Sequence, residues 1–131
     1  VQDSIIRLLV RLQKERGMTY LFICHDLALV SLFAHRVAVM YLGSVMEKID
    51  GDQLSKAQHP YTQALLHSVF PVSADKTEVK TIAGDLPSPL EMPKGCPFAT
   101  RCEKRREVCQ KEMPLLKEVE SNHFVACHLV S

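Results

Sequence analysis

All seven prolines of this 131-residue chain lie at or beyond Pro60. Proline removes a backbone donor and is excluded from helix interiors and central strands, whereas residues 1–58 are free of it and show a regular alternation of helix and strand patterns. The 36 residues from Cys96 onward carry four of the five cysteines and few large apolar side chains. Burial alone does not supply such a segment with folding energy.

The first part reads as alternating helix and strand. Ile5, Leu8, Leu9 and Leu12 fall at i, i+3, i+4 and i+7, the spacing of one helical face. Asp3 or Ser4 can cap that helix and Gly17 can end it. "TYLFIC", Thr19 to Cys24, is a nearly continuous apolar run that suits a strand buried on both faces of a parallel sheet, with Cys24 as a small core hydrophobe. Asp26 can cap a helix over Leu27 to Ala34, and "RVAVMYL" gives another strand. Strand, helix and strand make a βαβ unit, so the expected class is α/β. Gly43-Ser44 is expected to turn a hairpin into "VMEKI", closed by Asp50-Gly51, with that strand at the sheet edge.

Beyond this, "HPYTQALLHSV" places Pro60 in the first turn of a helix that Pro71 stops. Residues 71–95 hold four prolines and no helical or strand period, which marks a connector. The division expected is therefore 1–58 and 59–131.

Sixteen basic against fifteen acidic residues leave a net charge of +1, which gives no electrostatic case for a nucleic-acid binder. The basic run "RCEKRR" is interleaved with Glu103, Glu107 and Glu112 and reads as a solvated helical face. No run approaches the ~20 apolar residues that span a bilayer. No export signal is visible, and five cysteines are an odd number, so they read as cytosolic thiols or metal ligands rather than a disulfide framework.

Two places carry chemistry. His25 follows a strand-like run and precedes a helix start, where ligands of parallel α/β sheets bind and free backbone N–H groups favour an anion; a histidine that only satisfies loop carbonyls is the other reading of the same position. Cys96, Cys102, Cys109 and Cys127 give C-x5-C-x6-C-x17-C. Four thiolates can enclose zinc or an iron–sulfur cluster. The spacing lacks C-x2-C knuckles, and free thiols, or disulfides formed after metal loss, stay open as the third possibility. His123 and His128 flank Cys127 as substitute ligands.

"GMTYLFICHDLALVSLFAHRVAVMYLGSVME" resembles the switch-histidine region of ATP-binding-cassette ATPases. "HPYTQALL", "GDLPSPL", "GCPFATRC" and "HFVACH" resemble the C-terminal extension of the oligopeptide/dipeptide importer branch. The resemblance implies that residues 1–58 are the C-terminal part of a P-loop ATPase domain, with a partial parallel sheet and helices. Residues 59–131 would be a small irregular Cys-rich extension.

It also implies that His25 contacts the γ-phosphate of ATP, with Mg2+ in the intact subunit. His35, His59 and His67 match no phosphate-contacting position and take surface or local hydrogen-bonding roles. Cys96, Cys102, Cys109 and Cys127 would hold a [4Fe–4S] cluster, zinc being the alternative. The implied partners are a second ATP-binding subunit, membrane permease subunits and, indirectly, a solute-binding protein, at the cytoplasmic face of a prokaryotic plasma membrane.

No G-x-x-x-x-G-K-[ST] loop, signature motif or Mg2+-associated acidic strand end occurs in the 131 residues. The chain alone is therefore expected to be catalytically silent, and its uncovered apolar faces favour self-association. A self-standing four-cysteine metal-binding or redox module on an α/β scaffold is the competing reading.

Overall fold

The computed structural model describes residues 2–69, 82–88 and 90–130. Helix α1 spans Gln2–Arg16 and ends at Gly17, whose φ of +61° is the left-handed conformation glycine adopts without a Cβ penalty. Its apolar stripe exists but is not covered, since Ile5 and Leu8 remain about half exposed.

The first large departure follows directly. Residues 18–26 form no strand; Leu21 is 91% and Ile23 90% exposed, and Cys24 is exposed rather than in a core. A strand is held by ladder bonds to a neighbour, and no described strand lies beside this segment. The expected βαβ unit and partial parallel sheet are therefore not formed here. Phe22, 42% exposed, packs edge-on against Phe33 at 5.2 Å.

Asp26 caps helix α2, Leu27–Phe33, its carboxylate accepting from the Leu29 N–H at 3.0 Å. Strand β1, Arg36–Tyr41, alternates as a half-buried strand must, with Val37, Val39 and Tyr41 inward. It pairs antiparallel with β2, Ser44–Asp50. The turn is Leu42-Gly43, one residue earlier than the sequence indicates. Both residues have positive φ, 46° and 78°, the twist a two-residue hairpin requires.

Strand β2 is internal, not an edge. The tail returns and adds β4, His123–Val125, to its free side, and β3, Lys117–Glu120, lies outside that. The result is a four-stranded antiparallel sheet of order β1-β2-β4-β3, built from both sides of His59. The Ala126 N–H extends the join by donating to the Met46 carbonyl at 2.8 Å.

Two apolar clusters flank this sheet. In one, α2 and helix α3, Pro60–Val69, cover Val37, Val39, Ile49 and Leu54. In the other, Tyr41 and Met46 meet Phe98, Ala99, Cys96 and Cys109. Tyr61 touches both clusters. Gly51, directly after β2, is obligatory where it packs on the α2–β1 corner, because a Cβ there would sit 1.8 Å from the Ala34 carbonyl oxygen.

The described part of the connector, residues 82–88 and 90–95, has neither helix nor strand, as its prolines dictate. The expected stop at Pro71 lies outside the described residues. Arg101 holds the connector's end, donating to the carbonyls of Ile82 and Ala83 and to the Tyr41 hydroxyl. Helix α4, Glu107–Lys111, completes the tail.

Ile49 is 1% exposed and Leu21 91%. Ile49→Ala should therefore cost about 2–5 kcal/mol in a denaturant titration, whereas Leu21→Ser should leave stability within about 0.5 kcal/mol. Equal effects would contradict the core assignment.

Candidate functional site: a four-thiol cavity

The tail has no long element to position its cysteines, so short backbone bonds do it. The Cys96 N–H donates to the Cys109 carbonyl at 2.7 Å. Gly95 permits that approach, since a Cβ there would lie 2.2 Å from the same oxygen. A 3-10 turn, Ala99–Arg101, carries the chain to Cys102. Helix α4 presents Cys109, and Cys127 follows β4 directly.

Cys96, Cys102, Cys109 and Cys127 line one cavity, closed otherwise mainly by Phe98, Ala99, Leu129 and the rings of His59 and His128. Each sulfur also has a backbone N–H donor. Arg106 and Leu129 donate to Cys109 Sγ and Cys127 Sγ at 3.4 Å, and Phe98 and Lys104 serve Cys96 and Cys102. Such donors favour thiolate over thiol.

Burial outweighs them. It pushes the Cys96, Cys102 and Cys127 thiols above their usual range, and on Cys96 the other three cysteines push the same way. A positive group in the cavity would reverse this balance, as metal coordination deprotonates thiols. Among the described residues no group of three or more His, Cys, Asp or Glu side chains is arranged to hold a metal ion.

One wall rests on a buried carboxylate that the sequence reading missed. Glu47, on β2, has no exposed surface. Its oxygens accept from the Gln58 N–H at 2.7 Å and the His59 N–H at 3.2 Å, and His123 Nε2 lies 2.7 Å from Oε1. These contacts fix the backbone ahead of α3 and join it to β4. The sequence gives little signal for it, since Glu47 stands beside Lys48 in the strand segment "VMEKI".

His59 caps α3, Nδ1 accepting the Tyr61 N–H at 3.1 Å. This is the local hydrogen-bonding role expected of it, but the ring is 1% exposed. Burial pulls its pKa down from 6.5 to about 4, against the opposing pull of Glu47. His128 lies at the cavity with Nε2 2.8 Å from the Glu112 carbonyl, so Nε2 of each proposed substitute ligand, His123 and His128, already faces a protein acceptor.

His25 is exposed, directly before the Asp26 cap, and does not line the cavity. The structure therefore gathers the four predicted cysteines into one place and leaves His25 apart from them.

Residues 46–109 match the family described as the oligopeptide/dipeptide transporter, C-terminal region. Over the whole chain the relatives are consistent. The putative oligopeptide transport ATP-binding protein YkfD of Bacillus subtilis is 47% identical over 98% of this chain and 40% of its own length. AppF, an oligopeptide transport ATP-binding protein of the same organism, is 47% identical over 100% of this chain and 41% of its own. OppF of Haemophilus influenzae, also an oligopeptide transport ATP-binding protein, is 44% identical over 97% and 40%.

The chain belongs to this transporter family. It spans about two fifths of the length of the curated relatives it matches. The family region takes in Glu47, His59, Cys96, Cys102 and Cys109, whereas His25 and Cys127 lie outside its bounds.

The His59 shift sets a pH dependence. The unfolded ring takes up a proton as pH falls through 6.5, and the folded ring does not until about 4. The unfolded state thus binds more protons across that window, and stability falls with pH through it. The metal-free chain should lose about 3 kcal/mol between pH 7 and pH 4 from this group. His59→Asn should lack that part of the slope in urea titrations; an unchanged slope would contradict the assignment.

Proposed function

We propose that this chain is the C-terminal part of the ATP-hydrolysing subunit of an ABC-type peptide importer. Residues 1–58 close its ATPase domain and residues 59–131 form the importer-specific extension. The observation that carries the reading is the reach of the similarity. ATP-binding transport proteins align over 97–100% of the chain, not only over the cysteine tail, which disfavours a self-standing metal module.

The exposed run from Leu21 to Ile23 supports it. Leu21 and Ile23 are open to solvent over most of their surface, and strands supplied by a longer ATPase domain would cover them. In that setting His25 stands just past the strand and serves as the switch histidine, meeting the γ-phosphate and orienting the attacking water. The phosphate cradle and Mg2+ ligands lie outside this sequence, so ATP is held mainly by other parts of the subunit. The partners are a second ATP-binding subunit and membrane permease subunits, with a solute-binding protein delivering peptide. The subunit sits peripherally on those permeases at the cytoplasmic face. No helix among the described residues is long and apolar enough to cross a membrane.

In the intact subunit His25→Ala should lower ATP turnover by roughly 10²-fold or more while nucleotide affinity changes little. Unchanged turnover would remove the assignment.

The four-thiol cavity fits a [4Fe–4S] cluster by its donor chemistry. Four cysteines share one enclosure, each with a backbone N–H donor to sulfur, and their walls are apolar. Four thiolates also suit a single zinc ion, which is the alternative occupant. When bound, the cluster would supply a covalent staple to a tail that burial alone holds weakly. Cys96, Cys102, Cys109 and Cys127 would hold it, and the N–H donors of Phe98, Lys104, Arg106 and Leu129 would offset their negative charge.

Anaerobic purification should yield iron and acid-labile sulfide in equal amounts, and Cys109→Ser should abolish or sharply reduce both. Stoichiometric zinc without sulfide would overturn the cluster in favour of the smaller ion.

A further inference from the structure

The His59 ring is satisfied on one side only. Its Nδ1 accepts the Tyr61 N–H at 3.1 Å, which requires a lone pair on that nitrogen. In a neutral imidazole the proton then sits on Nε2, making Nε2 a donor. Nε2 is buried and has no hydrogen-bond partner among the described residues. The Ala126 carbonyl is near enough to favour a protonated ring but does not complete a hydrogen bond.

Buried donors are almost always paired, and an orphan calls for an explanation. Here the ring lines the four-thiol cavity. Among that cavity's side chains the acceptors available are the four cysteine sulfurs and the His128 ring, whose Nε2 already faces Glu112. Neutral thiols are weak acceptors. The negatively charged sulfurs of a metal–sulfur group are stronger ones.

We propose that His59 Nε2–H is a hydrogen-bond donor to a sulfur of the group held in this cavity, making His59 a positioning residue that raises the group's reduction potential. The proposal rests on the cluster reading given above. Its physical basis is that an N–H donor to sulfur stabilises the more negative, reduced state. The same ring starts helix α3, so the His-Pro-Tyr segment would couple that helix to the cluster through one side chain.

The two ring nitrogens can be tested separately. In His59→Asn the amide oxygen takes the place of Nδ1 and keeps the helix cap, but the side chain is too short to reach as Nε2 does. In His59→Gln the amide N–H reaches about as far as Nε2, while the cap is lost. Each variant is made in the full subunit, purified anaerobically and reconstituted with iron and sulfide, and its midpoint potential is read by redox titration followed by EPR.

His59→Asn should shift the potential negative by about 59 mV, a tenfold change for one electron, at unchanged cluster content. His59→Gln should stay near the wild type in potential and lose thermal stability. Unchanged potential in His59→Asn, or potentials that merely track stability, would overturn the donor role. A wild type that assembles no iron and sulfide would instead overturn the cluster itself.

Should His59→Asn not assemble, wild type carrying 15N-histidine decides the matter. A weak coupling of an imidazole nitrogen to the reduced cluster in pulsed EPR is expected, and its absence overturns the proposal.

Discussion

A carboxylate with no exposed surface has to be met by donors, and Glu47 is met from two distant parts of the chain. The Gln58 and His59 amides arrive from the start of α3, and the His123 ring arrives on β4. Leaving such a group unmatched costs several kcal/mol, on the order of 3–5 for a broken buried pair. The tail is therefore drawn to β2 with polar specificity as well as ladder bonds. With β4 in place, Cys127 is delivered beside the cysteines of the 96–109 segment, and His59 is held with its ring on the same cavity.

This arrangement explains how a segment so poor in regular structure keeps a defined shape. The sheet supplies an edge for the tail, Gly95 lets Cys96 and Cys109 share a backbone bond, and Arg101 ties the connector to Tyr41. What those contacts do not supply is neutralisation of four neighbouring sulfurs. Burial keeps three of them protonated in the absence of a positive partner, so assembly of a metal–sulfur group would be linked to proton release.

The N-terminal part poses the complementary problem. Its helix α1 and the 19–24 segment have the apolar patterns of packed elements but little to pack against among the described residues. Patterns of this kind are consistent with one layer of a larger sheet, and the partial coverage of the matched relatives agrees with that.

Local signals were legible residue by residue. Gly17 ends α1, Asp26 caps α2, Pro60 opens α3, and "RVAVMY" reads as a strand, because capping, φ restriction and strand propensity depend on near neighbours alone. The importer resemblance was legible too, since it rests on contiguous motifs. Strand pairing was not. Whether "TYLFIC" becomes a strand, and whether β2 is an edge, depend on which other segments supply ladder bonds, and no local pattern encodes that. The four cysteines were visible as candidate ligands from their spacing, but their convergence on one cavity needed the return of residues 117–127 to β2. Likewise nothing local marked Glu47, and His59 read as a local hydrogen bonder. The burial of the first, and the unpaired Nε2 of the second beside four sulfurs, arise only when residues some 76 positions apart are brought into contact. Side-chain chemistry is written in the sequence, whereas the dielectric and the partners around a side chain are set by long-range packing.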